Sequence, residues 1–179
     1  MEGMTMNAAQ MKIQKTSRVV SIITKILYVF LIIIISAEVI GIGWIAVLPD
    51  SRVNLGNLMI NFPAAFNGGA STKQMALPLL VYAFKQTFVL FILILTHKIF
   101  KDISREYTPF LEKNFKRMKQ IALLLLFSSL QPFSFSGPDS LNINIGPDCE
   151  LLIFAGIVYF FALIFQYGSA LQQQSDETL

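Results

Sequence analysis

Seven of the fourteen Lys and Arg residues of this 179-residue chain lie in one stretch, 98–119, with long apolar runs on both sides of it. Such a polar insert leaves few folds open. Each flanking run must be buried as an element of its own, and a short loop rich in Lys and Arg stays on the cytoplasmic side of a membrane. Hydrophobic residues make up 54% of the chain and charged residues only 14%, more apolar material than the core of one soluble domain of this length encloses. The expectation is an all-α membrane protein, a four-transmembrane-helix bundle forming a single integral membrane domain over residues 1–179.

The spans are expected at about 19–48, 77–97, 118–135 and 151–171. The run 26–48 alone crosses a bilayer core of about 30 Å at ~1.5 Å per residue. It is also too long for the apolar core of a signal peptide, so an uncleaved anchor is the better reading. Pro78 opens the second run, where the first turn of a helix tolerates it. The third run is short from Ile121 onward and borrows 118–120, with basic side chains snorkelling to the surface. Residues 1–14 read as a loose tail or a short surface helix, and 172–179 as a polar tail. Within the cytoplasmic basic loop 98–119, Thr108 as N-cap, Pro109 at the first helical position and Glu112 in the first turn predict an amphipathic basic helix.

The outer loops, 49–76 and 136–150, are rich in Pro, Gly and Asn. Their alternating segments 52–62 and 141–145 predict short strands that pair into a small extracellular β element. Four cations precede the first span (Lys12, Lys15, Arg18, Lys25), two stand in the first outer loop (Arg52, Lys73), seven in the central loop and none after it. That asymmetry puts both termini in the cytoplasm and the protein in the cytoplasmic (plasma) membrane as a multi-pass chain.

Two ionisable groups fall inside the predicted spans, Glu38 at ~15 Å and Lys85 at ~12 Å below the outer surface by helical rise. Charge within a membrane is costly, and its usual fate is pairing. A structural Glu38–Lys85 ion pair is therefore the first reading. A proton or ion path drawing on Ser36, Gln86, Thr87, Ser128 and Ser129 is the second. Gly41, Gly43 and the Ala155–Gly156 pair offer close helix approach, and Tyr159, Phe160, Phe161, Phe165 and Tyr167 read as lipid-facing and interhelix filling. His97, the one histidine, reads as a solvated interface residue. Cys149 is the single cysteine, which excludes an internal disulfide. With no phosphate loop, nucleophile elbow or paired metal ligands, the sequence points to no enzyme, no cofactor and no metal.

Two segments carry a resemblance: Thr108, Pro109 and Phe110 with Asn114, Lys116, Arg117, Met118 and Ile121, and the ending Phe165, Gln166, Tyr167, Gly168 through Leu171, Gln172 to Ser175, Asp176, Glu177 and Thr178. Together they resemble the bacterial four-helix membrane protein family catalogued as domain of unknown function 2975. Members of that family are often encoded beside a small helix-turn-helix regulator similar to the Cro and repressor group. The resemblance implies a non-enzymatic membrane protein that acts as a regulatory or sensory partner of such a regulator. On this reading the partner-binding candidates are Lys113, Lys116 and Arg117 in the central loop and Tyr167, Asp176 and Glu177 near the end, since both segments face the cytoplasm. The partners expected are the lipid bilayer, the cytoplasmic helix-turn-helix regulator and further copies of the chain as a homo-oligomer, with no direct nucleic acid. The alternative is a small transporter component or immunity-type membrane protein that uses the intramembrane Glu38 and Lys85.

Overall fold

The computed structural model describes residues 2–47, 72–106, 110–130 and 148–177. These form four helices, α1 (Glu2–Val47), α2 (Thr72–Glu106), α3 (Glu112–Ser129) and α4 (Cys149–Glu177), and no strand stands among the described residues. The segments 52–62 and 141–145, expected as a β element, lie outside them.

The expected loose tail at 1–14 is instead the start of α1, a helix of 46 residues and ~69 Å. No Gly or Pro stands between Met4 and Ile40, so nothing in the sequence stops the helix before the apolar run begins. α2 likewise starts at Thr72 and not at 77. Pro78 therefore lies in the second turn, a position that costs one backbone hydrogen bond and that long apolar helices tolerate.

α2 also runs through the start of the basic stretch to Glu106, with Arg105 in its last turn at the negative end of the helix dipole. The expected loop 98–119 is thus mostly helix, the end of α2 and the first half of α3. α3 begins at Glu112 with Leu111 as its N-cap, in extended conformation and with no side-chain cap bond. Thr108 and Pro109, expected to start this helix, lie outside the described residues. The Leu111 carbonyl accepts the Asn114 N–H (2.9 Å), and Glu112 in the first turn satisfies the dipole.

At its far end α3 stops at Ser129, with Leu130 as C-cap and its N–H bonded to the Phe127 carbonyl. This is short of the expected 135. Pro132 has no N–H to continue the ladder, and Ser129 Oγ already draws on the Leu126 carbonyl (2.7 Å). α4 starts two residues earlier than expected because Asp148 caps it: its Oδ1 accepts the N–H groups of Glu150 (3.1 Å) and Leu151 (3.3 Å). The Asp148 N–H in turn donates to the Ser129 carbonyl (2.9 Å), tying the end of α3 to the start of α4. The expected polar tail continues α4 as helix to Glu177.

α1 packs along α2, α2 along α3 and α3 along α4. Every pair is antiparallel: Gln14 meets Ser104 while Glu38 meets Gln86, Asp102 meets Arg117 while Glu106 meets Lys113, and Phe110 meets Phe165 while Ser129 meets Asp148. The beginning of α1, the α2–α3 connection and the end of α4 therefore share one end of the fold.

Within α1 the residues turned toward α2 follow a 3.5-residue period. Ser17, Ser21, Thr24 and Glu38 are buried, Gln14, Tyr28, Leu31 and Ile35 are half-buried, and the positions between are exposed apart from Val20 and Ile34, which are half-buried. The exposed face is apolar, with Ile26, Phe30, Ile33, Ile40 and Trp44 each more than half exposed. A helix that is apolar on its outward side and carries its polar side chains on the packed side suits a hydrocarbon surround. Among the described residues, three stretches are long and apolar enough to cross a membrane, Gln10–Trp44, Leu80–Glu106 and Cys149–Ser175. α3 is not among them: it has 18 residues, and Glu112, Lys113, Lys116, Arg117 and Lys119 occupy its first half.

Candidate functional site at the charged end

The residues expected to bind a partner collect at the end of the fold where α2 gives way to α3. There the cations are matched. Asp102 on α2 accepts a hydrogen bond from Arg117 Nη1 (2.5 Å) and lies 3.5 Å from Lys113 Nζ, which donates to Glu106 at 2.6 Å. Lys116 pairs with Glu112 one turn back on α3. The Asp102 and Arg117 side chains are only 16% and 22% exposed, whereas those of Lys116 and Glu112 are 65% and 70% exposed. The first pair is therefore shielded from water and salt, and the second contributes little to stability. Two acids on α2 spaced by four residues, facing two bases on α3 spaced by four, brace the helices across the short connection.

Electrostatics follow this layout. Burial on its own would raise the Asp102 carboxyl, but the hydrogen bond and charge of Arg117, with Lys113 beside it, hold it below the usual carboxylate range. Lys116 holds Glu112 below its ordinary value, and the bond to Glu106 raises Lys113. Asn114, 1% exposed beneath this layer, accepts weakly from Arg117 at 3.4 Å.

The two motif segments meet in space. The Phe110 ring, just before α3, lies 5.7 Å from the Phe165 ring on α4. A Cβ built at Gly168 would stand 2.6 Å from Phe110 Cε1, so Phe110 occupies the space that the missing side chain leaves. One turn deeper, Lys119 Nζ donates to Gln166 Oε1 (2.9 Å) and stands 6.0 Å from the Phe115 ring centre. Among the described residues, Gly168 is thus a glycine with a packing reason. Gly41, Gly43 and Gly156, expected to permit close approach, face open space.

Past this contact α4 continues to Glu177, ~13 Å further along the axis. Tyr167 is 68% exposed, and Gln172, Gln173 and Glu177 are exposed as well. Asp176 lies in the last turn of the helix. Of the expected partner-binding residues, Lys113 and Arg117 are drawn into the α2–α3 brace, Tyr167 stands exposed at the level of the Phe110 contact, and Glu177 stands on the projecting end of α4.

In the apolar part of the fold, Glu38 is buried between α1 and α2. The Glu38 hydrogen bond comes from Gln86, the neighbour of Lys85 on α2, whose Nε2 donates to Glu38 Oε1 (2.8 Å). His97, expected in a solvated interface, is half-buried and fixed to α1. Its Nδ1 lies 2.8 Å from the Ser21 carbonyl and 3.1 Å from Ser21 Oγ, and its ring meets Tyr28 edge-on at 5.6 Å. The carbonyl can only accept, so Nδ1 carries a proton. Nearer the charged end, Gln14 Nε2 donates to the Ser104 carbonyl (3.0 Å). The signal for these contacts was present in the sequence as the 3.5-residue spacing of Gln14, Ser17, Ser21, Thr24, Tyr28 and Glu38.

No protein-family model, curated protein or solved structure matches the chain.

Proposed function

We propose that the protein is a non-enzymatic, multi-pass protein of a bacterial cytoplasmic membrane that holds a small helix-turn-helix regulator at the membrane. It would do so through the projecting end of α4. The orientation follows the positive-inside rule, because the charged end carries Lys12, Lys15 and Arg18 together with the seven cations of 98–119. The observation that carries the reading is the division of labour at that end. Lys113 and Arg117 are taken up in ion pairs with α2, while α4 extends past its last contact with Phe110 and exposes Tyr167, Gln172, Gln173 and Glu177. An exposed aromatic among amide side chains on a rigid helix is an economical docking surface, since aromatic anchors supply most of the energy of such contacts.

The test is reconstitution with a small helix-turn-helix regulator of the Cro and repressor type from the same source. The full-length protein in nanodiscs should retain the regulator, and Tyr167→Ala or a chain ended after Leu171 should release it without changing helicity. Lys116→Ala should leave retention unchanged. Equal retention by the shortened chain refutes the reading.

A second reading, a small transporter component or immunity-type protein, draws on Glu38, a buried carboxyl in an apolar helix pair. It predicts that Glu38 variants lose biological activity while the shortened chain keeps it.

A further inference from the structure

At the level of Glu38 the α1–α2 interface leaves two polar atoms without partners, and they complement each other. Glu38 is 8% exposed. Gln86 Nε2 satisfies one of its carboxyl oxygens, Oε1, at 2.8 Å. The other oxygen, Oε2, is buried with no hydrogen-bond partner, and so is the carbonyl oxygen of the same Gln86 side chain, Oε1. Two acceptors are thus left over on two groups already joined through their remaining atoms.

An ionised carboxylate cannot resolve this, because it only accepts, and so does an amide oxygen. It would also leave a charge in an apolar interface with one neutral donor. Interchanging the amide oxygen and nitrogen of Gln86 does not help, since oxygen would then face oxygen. One proton resolves both atoms. A neutral Glu38 places an O–H on Oε2, the group that the Gln86 carbonyl needs, and closes a ring of two parallel hydrogen bonds between acid and amide. Neutralisation is also the common resort of a carboxyl taken out of water without a matching cation.

We propose that Glu38 is held as the neutral acid and forms with Gln86 a two-hydrogen-bond acid–amide pair, a proton-holding latch between α1 and α2. The ionisable groups that α2 brings within one turn of Gln86 are Lys85 and Tyr82, both on the same stretch of helix. α1 adds none within two turns of Glu38 on either side. Loss of the proton removes one of the two bonds and sets a charge between the helices, so the latch is a point at which proton activity acts on the packing of α1 against α2. This inference stands apart from the docking role of α4.

The test uses the full-length protein in nanodiscs at neutral pH. Infrared spectroscopy should show a protonated carboxyl stretch that disappears in Glu38→Gln and moves to the position of a free acid in Gln86→Leu. Thermal unfolding gives the second readout. Glu38→Gln keeps both hydrogen bonds as an amide–amide pair and should leave the Tm unchanged. Glu38→Leu and Gln86→Leu should each lower it, and the two together should recover most of the loss. Lys85→Met should leave the carboxyl band in place. Absence of a band removed by Glu38→Gln overturns the proposal, as does a protonated band that appears only in Lys85→Met, the mark of a Glu38–Lys85 ion pair. Failure of Glu38→Gln to fold also counts against it, because that variant retains every bond the pair contains.

Discussion

Replacing Asp102 by Ala removes the acceptor that Arg117 and Lys113 share, and its cost can be set from geometry. Fully exposed ion pairs contribute about 0 to 1 kcal/mol, whereas truncating one partner of a buried pair costs about 3 to 5 kcal/mol. The Asp102–Arg117 pair lies between these limits, with side chains 16% and 22% exposed and a separation of 2.5 Å. A charge-assisted hydrogen bond in a partly shielded site contributes about 1.5 to 3 kcal/mol. The expected loss for Asp102→Ala is therefore about 2 kcal/mol, or about 4 to 8 °C in Tm on the scale of a soluble domain of this size. Arg117→Ala should cost a similar amount. The double variant should cost about the same as either single one, because the two residues act as a unit. Lys116→Ala is the control: its partner Glu112 is one turn away and both side chains are exposed, so little or no loss is expected.

Thermal scans by far-ultraviolet circular dichroism in detergent read the native protein and all four variants. The pH dependence should match. The folded Asp102 carboxyl sits below its ordinary value of 3.8, so its stabilisation is complete above that value and is lost as pH falls through the lower folded one. Asp102→Ala should remove this acid-side loss and leave stability at neutral pH lower throughout. If Asp102→Ala costs no more than Lys116→Ala, or if the Asp102 and Arg117 losses simply add, the brace does not hold α3 to α2 and the reasoning from burial fails.

Gly168→Ala should add about 1 kcal/mol of helix stability in a Phe110→Ala background and markedly less in the native one, because the new methyl meets the Phe110 ring; equal effects in both backgrounds would show that Phe110 does not dock there. Asp148→Ala should lower stability by about 1 kcal/mol through loss of the α4 cap, with Asp148→Asn retaining most of it in the same thermal scan. The exposed Cys149 should react with a membrane-impermeant maleimide added outside intact cells, and a Cys introduced at Ser175 should not; the reverse pattern would overturn the proposed orientation.

The apolar runs 26–48, 77–97 and 151–171 each announced a helix that the structure contains, because a long run of that composition leaves few alternatives. The boundaries were less legible for identifiable reasons. α1 extends to Glu2 on residues whose buried positions, Ser17 and Ser21, are polar, so a search for apolar periodicity passes over them. The basic stretch looked like a loop because its charge was counted as a sum. The order of the charges carried the structure: two acids four residues apart, Asp102 and Glu106, are answered across the connection by two bases four residues apart, Lys113 and Arg117. At Glu38 the sequence offered two neighbours on α2, Lys85 and Gln86, and charge alone favoured the lysine. Position around the helix brought the amide to the carboxyl.

The polar side chains of the α1–α2 seam fall into two groups by what their chemistry can complete unaided. Hydroxyls can bond to the carbonyl of the preceding turn. Thr24 does so to Val20 (2.9 Å), Thr87 to Ala83 (2.9 Å) and Ser104 to Lys101 (2.8 Å), so these side chains ask nothing of the partner helix and serve as small, closely packing surfaces. Gln14, Glu38, Gln86 and His97 carry longer side chains, and each meets its recorded partner across the interface. Among the described residues, cross-helix bonds thus stand at three separated levels, Gln14–Ser104, Ser21–His97 and Glu38–Gln86. In an apolar surround, greasy faces slide past one another at little cost. Three directional bonds along one pair set a register that sliding would break at every level together.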